Sequence, residues 1–367
     1  TLRRQPVAVT QLQGLSYPTQ LSRGDGHACA RLSDGTLRCW GQNDAGQCAT
    51  TASATPEAMA VITSLPGTFA QATGGSHSCA IQASGKVACW GKNDVGQLGN
   101  GSTSASIATP GAVTGLPKDA RTIALGGSHT CALLVDGTLY CWGANDKGQL
   151  GTGAASSSPV KVPLSDVLMV TAGKKHTCAL TAGTAGKLYC WGDNTKGQLG
   201  TSAGDKSAPT ALTTPPTTVA SLTAGAEHTC AIQADASALC WGGNGAGQLG
   251  DNSKTQRNNP TAVSGTTNAR LISGGTTHTC ALLSNDTARC WGSNGQGELG
   301  TGTQTESLVP AAVSSFTSAR QIAAGNQSTC GLRYDGRAYC WGYNVQNILG
   351  VGTQPFYTTP QPVQCLP

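Results

Sequence analysis

Cysteine and histidine are the residue types here whose side chains could do chemistry, and the chain has sixteen cysteines and six histidines. Thiolates and imidazoles bind zinc, and a thiol beside an imidazole can act as a nucleophile. Either activity needs side chains that converge on one point from non-repeating positions. The histidines instead occupy one position of a repeat, so we expect each to hydrogen-bond within its own unit, and we predict no catalytic residue and no metal site. They are His27, His77, His129, His176, His228 and His278.

Fourteen of the cysteines form seven pairs within this repeat, and their spacing predicts a disulfide in every unit. Cys29 and Cys39 would face each other on a β-hairpin closed by the three-residue loop 33–35. Counting from the closing pair makes them a non-hydrogen-bonded pair, whose Cα atoms lie ~4.5 Å apart, close enough for a disulfide. The predicted pairs are Cys29–Cys39, Cys79–Cys89, Cys131–Cys141, Cys178–Cys190, Cys230–Cys240, Cys280–Cys290 and Cys330–Cys340.

Cys48 and Cys365 lie outside this pattern. Cys48 replaces the leucine of a Gly-Gln-Leu-Gly turn found in other units, and Cys365 is three residues from the C-terminal end of the sequence. In a closed ring the last unit lies beside the first, so a Cys48–Cys365 disulfide would join the ends. The alternative is a tether to another chain. Because thiols stay reduced in the cytosol, so many predicted disulfides indicate a secreted or cell-surface protein.

Seven tryptophans mark the repeat, each within a Cys-Trp-Gly sequence and spaced by 50, 52, 49, 50, 50 and 50 residues. This period, with Asp-Gly hairpin turns and Gly-rich loops, is typical of a propeller or a solenoid and suits one four-stranded blade per unit. Units this small must share a core with their neighbours, so the whole chain, 1–367, is predicted to be a single all-β domain. The tryptophans are Trp40, Trp90, Trp142, Trp191, Trp241, Trp291 and Trp341.

Both ends of the chain carry a segment rich in Pro and Val, at 6–9 and 360–363. We expect a strand from one terminus to complete a blade begun at the other, which would close the ring. The sequence does not indicate which blade is shared in this way.

Charge and composition narrow the possible partners. The net charge is +5, and only 11% of the residues are charged. The basic residues are scattered, whereas proteins that bind nucleic acids concentrate them on one face, so we expect no nucleic-acid partner. No apolar run reaches the ~18 residues of a membrane-spanning helix. Since the sequence also lacks a phosphate-binding Gly-x-x-x-x-Gly-Lys-Ser/Thr loop, we expect no cofactor.

The repeat reads Gly-x-x-His-Thr-Cys-Ala-Leu, then Gly-x-Leu-x-Cys-Trp-Gly-x-Asn-x-x-Gly-Gln-Leu-Gly, and it resembles that of the regulator of chromosome condensation (RCC1) family. The resemblance covers almost the whole chain and implies a seven-bladed β-propeller with four antiparallel strands per blade. The paired cysteines depart from the family pattern and resemble a disulfide-rich, secreted branch. The last unit departs further, with Ser328 in place of His and 347–350 in place of Gly-Gln-Leu-Gly.

Two stretches of each unit vary while their surroundings repeat: the residues between Gly and His, and the residue between Gly and Asn after each Trp. Varied side chains at fixed loop positions of a rigid ring could form a binding face, or could be solvent-facing positions free to drift. Our candidate binding residues are four charged or aromatic side chains at these positions: Lys174, Lys175, Glu227 and Tyr343.

These features favour a secreted, non-enzymatic platform that binds a protein partner, or assembles with one, through a face of the propeller. The resemblance supplies a precedent, because a propeller of this superfamily inhibits β-lactamase by docking a ring face.

Three other functions stay open. A lectin-like propeller would repeat an exposed aromatic residue, but Tyr140, Tyr189 and Tyr339 recur in only three units. A structural subunit of an extracellular filament or surface layer fits the polar, disulfide-rich composition. A guanine nucleotide exchange factor, which the family name suggests, is disfavoured, because the uniform spacing leaves no room for the insertion that this activity uses.

Overall fold

The computed structural model describes residues 16–364, except 63–64, 66–67, 184–186, 202–203, 213, 215, 217 and 346–347. These residues form a seven-bladed β-propeller, in which each blade is an antiparallel sheet of four strands consecutive in sequence. In the part of the chain so described, no helix has the length and apolarity needed to cross a membrane.

The first four blades have the following strands. Blade 1 consists of β1 (Pro18–Arg23), β2 (His27–Leu32), β3 (Leu37–Asn43) and β4 (Ser53–Ile62). Blade 2 consists of β5 (Thr68–Thr73), β6 (His77–Gln82), β7 (Val87–Lys92) and β8 (Ser106–Ala112). Blade 3 consists of β9 (Ala120–Leu125), β10 (His129–Leu134), β11 (Leu139–Gly143) and β12 (Ser156–Lys161). Blade 4 consists of β13 (Val167–Ala172), β14 (His176–Thr181), β15 (Leu188–Gly192) and β16 (Lys206–Ala211).

The last three blades follow the same order. Blade 5 consists of β17 (Val219–Ala224), β18 (His228–Gln233), β19 (Ala238–Gly242) and β20 (Arg257–Ala262). Blade 6 consists of β21 (Ala269–Gly274), β22 (His278–Leu283), β23 (Ala288–Gly292) and β24 (Ser307–Ala312). Blade 7 consists of β25 (Ala319–Ala324), β26 (Ser328–Arg333), β27 (Ala338–Tyr343) and β28 (Phe356–Pro362).

The first strand of every blade contacts the first strands of both neighbouring blades, from β1 through to β25 and back to β1. These seven strands therefore line the central channel, and the fourth strands form the rim. Seven apolar clusters fill the spaces between blades, one at each boundary, including the boundary between blades 7 and 1. Each cluster contains one of the seven tryptophans, all at most 1% exposed. The core is thus shared between neighbours, as the short repeat predicts.

The ring closes differently from our expectation. The C-terminal strand β28 completes blade 7, but β25, β26 and β27 of that blade come from the same end of the chain, and blade 1 is likewise contiguous. No blade among the described residues combines strands from both termini, and the segment 6–9 lies outside those residues. Side chains join the two ends instead: the Gln321 amide accepts from Leu21 N at 2.9 Å and donates to Leu21 O at 2.7 Å.

The asparagine three residues after each tryptophan holds the loop that follows the third strand. In blade 3, Asn145 Oδ1 accepts from the backbone N of Leu150 at 2.9 Å. The same bond, from the residue five positions later, recurs in all seven blades, at Asn43, Asn93, Asn145, Asn194, Asn244, Asn294 and Asn344. These side chains give the loops on one face of the ring a common backbone path.

Candidate functional site

The seven predicted cysteine pairs lie opposite each other on the second and third strands, and the structure has a disulfide at each pair. In blade 1, Cys29 faces Cys39, with their Cα atoms 4.1 Å apart. The hairpin closes as the spacing predicts: Leu32 N bonds to Thr36 O, and Gly35 has a φ of 81°. The paired sulfurs are therefore structural, because they are buried between blades rather than presented to a ligand.

Cys48 is buried within the apolar cluster between blades 1 and 2. Cys365 lies outside the described residues, so the Cys48–Cys365 disulfide stays a prediction. Among the residues that are described, His, Cys, Asp and Glu side chains do not group in threes as a metal site would require.

The six histidines bond across blade boundaries, which corrects our expectation that each would bond within its own blade. His129 Nε2 lies 2.9 Å from Thr177 Oγ1 of blade 4, and that hydroxyl donates to Gln149 O at 2.8 Å. Because the hydroxyl proton is used in this way, its oxygen must accept, and the proton of the neutral imidazole is assigned to Nε2. The equivalent pairs are His27–Ser78, His77–Thr130, His176–Thr229, His228–Thr279 and His278–Thr329.

These imidazoles are uncharged at neutral pH. All six are fully buried, and burial lowers the pKa of His176 to about 3 and that of His129 to about 4. Nδ1 of every one of the six has no hydrogen-bond partner among the described atoms. A buried, neutral imidazole of this kind connects two neighbouring blades through its hydrogen bond, and it is not an exposed acid or base.

The turns between first and second strands surround one mouth of the channel. We call 24–26, 74–76, 126–128, 173–175, 225–227, 275–277 and 325–327 the collar turns, and the face that carries them the collar face. A Cβ at Gly126 would lie 2.5 Å from Gly173 O of the next blade, so only glycine permits this approach. Amides also bond from one collar turn to the next, such as Lys174 N to Ala226 O at 3.2 Å and Thr276 N to Gly325 O at 3.0 Å.

Three of the cavities formed by the described residues open on the collar face. The channel itself has a volume of about 160 Å³, and glycines make up half of the residues that line it. A larger depression of about 650 Å³ lies over blades 2 to 4 and includes Lys92, Val95 and Asp146. A third, of about 400 Å³, lies over blades 7 and 1 and includes Asp44 and Gln327.

The four candidate binding residues lie on the collar face, but not all line a cavity. Lys174 and Lys175 line the 650 Å³ depression, and Tyr343 lines the 400 Å³ depression. Glu227 is exposed on its collar turn and lines none of the three cavities. Lys175 pairs with Asp146, whereas Lys174 is exposed and has no ion pair within the described part of the chain.

Two other charged residues at this face, Arg23 and Asp25, were not among our candidate binding residues. Asp25 borders all three cavities, and partial burial raises the pKa of its carboxyl, against the opposing effects of Lys174 and Arg23. Arg23 ends β1 and lines the channel, where other blades have small or apolar residues such as Ala172. For Arg23, the available signal was a charge at a repeat position that is uncharged in the other six blades.

Arg23 lies at the boundary between blades 7 and 1, where the histidine and its hydroxyl partner of the other boundaries are both replaced. Ser328 stands where the other blades have His, and Ala28 stands where the hydroxyl partner would be. The guanidinium of Arg23 reaches across instead, and donates to Ser328 Oγ from Nε at 3.0 Å and from Nη2 at 2.6 Å. One arginine from blade 1 thus replaces the imidazole bond that every other boundary has.

Several solved structures share this fold. Prp20p of Saccharomyces cerevisiae has a TM-score of 0.76 and 22% identity, with 86% of this chain and 83% of that chain covered. Human WBSCR16 has a TM-score of 0.76 and 21% identity, with 90% and 93% covered. The ectodomain of the Physcomitrella patens receptor kinase CR4 has a TM-score of 0.57 and 20% identity, with 89% and 74% covered.

Similarity in sequence points to the same family. The regulator of chromosome condensation of Xenopus laevis is 39% identical over 89 residues, which are 23% of this chain and 21% of that protein. The ultraviolet-B receptor UVR8 of Arabidopsis thaliana is 39% identical over 66 residues, 17% of this chain and 15% of that receptor. The matches therefore span only a small part of the relatives' length. The profile of an RCC1 repeat matches residues 19–47, and that of the RCC1-like domain matches residues 56–367. The chain belongs to the RCC1-like domain family.

Proposed function

We propose that this protein is a secreted, non-enzymatic platform that binds a protein partner with its collar face. One observation carries the proposal: a backbone ring with the same geometry in every blade bears two depressions, of about 650 and 400 Å³, whose side chains differ between blades. A repeated backbone supplies rigidity, and varied side chains on it supply specificity.

The disulfides support both the rigidity and the location. Each closes a hairpin loop, and on the chain-entropy model it stabilises the fold by about 2–3 kcal/mol. Seven buried disulfides also fit an oxidising compartment outside the cytosol. Ectodomains of plant receptor kinases, which share this fold, provide an extracellular parallel.

Propellers of similar fold are described in protein complexes. The structure of Prp20p is reported with its binding to Gsp1p and histones, and a further structure shows it bound to Kap60. Those partners belong to that protein. What we transfer to this chain is only the use of such a propeller as a protein-binding platform.

The side chains at the collar face fit a protein partner better than a glycan. A lectin with several equivalent sites would repeat an exposed aromatic residue, yet Tyr140, Tyr189 and Tyr339 pack against the clusters between blades. Tyr343 belongs to one blade only and lies beside the exposed Val345 in a depression. We assign no catalytic step, since the histidines are buried between blades and the paired cysteines are disulfides.

Site-specific photo-crosslinking tests this proposal. A photoreactive residue placed at position 174 or 343 should capture the same protein from the extracellular medium in which the chain is found. Matched controls are positions 118 and 334, because Lys118 and Tyr334 are exposed at the opposite ends of the strands. K174E and Y343A should each reduce capture at least tenfold, and K118E and Y334A should not. Equal capture from both faces, or none from the collar face, would contradict the proposal.

A further inference from the structure

Arg23 is a buried cation for which the described residues provide no counter-ion. Its side chain is 7% exposed, and both Nε and Nη2 donate to a neutral hydroxyl, that of Ser328. Among the described residues, Nη1 has no hydrogen-bond partner and no carboxylate forms an ion pair with this guanidinium. Buried charges in proteins are normally paired, so this arrangement is incomplete.

The guanidinium remains charged under physiological conditions. Burial lowers the pKa of Arg23 to about 10, with Asp25 acting in the opposite direction. At neutral pH, proton loss therefore does not remove the unfavourable free energy of burying this charge. A negative group that enters the channel would offset that free energy.

The channel mouth has further unused donors beside Arg23. In five collar turns a backbone amide donates to the neighbouring turn, for example from Gly75 N to Gly126 O. The amides of Asp25 and Asn326, at the same position in blades 1 and 7, have no acceptor in the described structure. Both residues and Arg23 line the channel, whose volume of about 160 Å³ exceeds what a single water needs.

We propose that the channel mouth between blades 7 and 1 binds a carboxylate, held by Arg23 together with the amides of Asp25 and Asn326. Backbone amides and a guanidinium are the donors that carboxylates accept from most strongly. Asp25 carries its own negative charge at this mouth, and it disfavours a doubly charged phosphate more than a monoanion. The collar glycines leave room for a small, flat group.

The carboxylate could come from a small free molecule or from an acidic side chain of a bound protein. The proposal concerns the chemistry that both share, and it does not require the platform function, because a free carboxylate can bind when no protein docks. Acetate is the probe that separates these cases.

The test is the thermal unfolding of the oxidised, full-length protein at pH 7.5 in acetate against chloride, at constant ionic strength. The melting temperature should rise with acetate in a saturable way, because a ligand that binds only the folded state stabilises it. R23Q should weaken the apparent affinity at least tenfold. Since R23Q could also weaken folding, R23T/A28T/S328H serves as a second variant that rebuilds the imidazole bond of the other boundaries without the guanidinium.

The D25N variant, the triple variant and the photo-crosslink complete the test. D25N should bind acetate more tightly, because a like charge is removed. The proposal is wrong if acetate has no effect and D25N lowers the melting temperature by an amount that does not depend on the salt. In that case Asp25 is the counter-ion of Arg23. An equal response of wild type and R23T/A28T/S328H would also overturn it. Acetate that binds and also lowers the yield of the photo-crosslink, when it is added before irradiation, identifies an acidic side chain of the partner as the natural source. Acetate that binds and leaves that yield unchanged identifies a free carboxylate.

Discussion

Each histidine of the ring has one role, set by the atoms that it contacts. Nε2 donates to a hydroxyl of the next blade, and Nδ1 faces the collar glycine of its own turn, as at His129 and Gly126. A charged imidazole in this place would be buried without a counter-ion. The ring therefore depends on histidine for its shape and its neutral donor, not for proton transfer.

This predicts that the fold weakens in acid. The six imidazoles have pKa values of about 3 to 4 in the folded protein, whereas the ordinary value is 6.5. As the pH falls from about 6.5 to about 4, the unfolded chain binds protons that the folded chain cannot, so the free energy of unfolding decreases. Denaturant unfolding of the oxidised protein at pH 7, 6, 5 and 4 measures this loss.

H176Q should flatten that dependence by about 1.4 kcal/mol per pH unit, because one titrating group is removed. Glutamine keeps an N–H donor for Thr229 Oγ1. K118Q, at an exposed position, is the control and should leave the slope unchanged. The same slope in H176Q as in the wild type would show that the histidine does not titrate on unfolding.

Two tryptophans provide a matched pair for a second prediction. Trp142 and Trp241 are both fully buried at equivalent boundaries. Trp142 Nε1 donates to Gln97 O at 3.0 Å, whereas Trp241 Nε1 has no partner in the described structure. W142F should therefore lower the free energy of unfolding by about 1 kcal/mol more than W241F does. Urea titrations of the two variants decide this, and equal losses would mean that the indole bond contributes nothing net.

At the scale of the element, the third strand of each blade has, at its end or within two residues of it, a glycine that no other residue can replace without strain. Gly143 has a φ of 103°, and a Cβ there would lie 2.6 Å from Ser128 O. The register between the third and fourth strands shifts at this glycine in blade 3. The shift starts the loop that forms part of the collar face, so the strand geometry and the proposed binding surface depend on the same position.

G143A should destabilise the protein by about 2 kcal/mol or more, since it combines a left-handed backbone with a steric clash. G295A is the control, because a Cβ at Gly295 meets nothing within 4 Å. It should change the free energy of unfolding by less than about 0.5 kcal/mol. Similar effects of the two substitutions would contradict the proposed role of Gly143 at the register shift between the third and fourth strands.

For the whole molecule, the boundary between blades 7 and 1 is where the repeat is broken and the ring is closed. Arg23 and Gln321 form hydrogen bonds there that the other boundaries do not have in this form. Trp40 Nε1 also crosses it to donate to Leu349 O at 3.0 Å. Closure thus rests on contacts between residues about 300 positions apart.

S328H alone should destabilise the ring by about 1–3 kcal/mol, because the new imidazole overlaps the space that the guanidinium of Arg23 occupies. Adding R23T and A28T should recover most of this loss, since the imidazole then has both room and a hydroxyl partner, as at the other boundaries. Urea unfolding of the single and triple variants measures the recovery. A triple variant no more stable than S328H would show that the three positions are not coupled.

Prediction from sequence worked best where contacts are short in sequence and repeated. The hairpin loop 33–35 sets the register that places Cys29 opposite Cys39, and the same spacing in six of the seven cysteine pairs made the pattern clear. The tryptophan period indicated blades of one size, and the composition of each unit indicated β-strands. The variable loop positions pointed to Lys174, Lys175 and Tyr343, which border depressions, and to Glu227, which borders none.

By itself, then, the sequence determined the repeat, the pairing of second and third strands, and the predicted disulfides, because each depends on residues about ten positions apart within one hairpin. Only the tertiary structure decided the partner of each histidine, the contiguous blades at the closure, and the position of Arg23 and Asp25 at the channel mouth. Those features depend on contacts between residues of different blades, which are far apart in the sequence. Their contacts exist only once the ring has closed, so no local pattern records them.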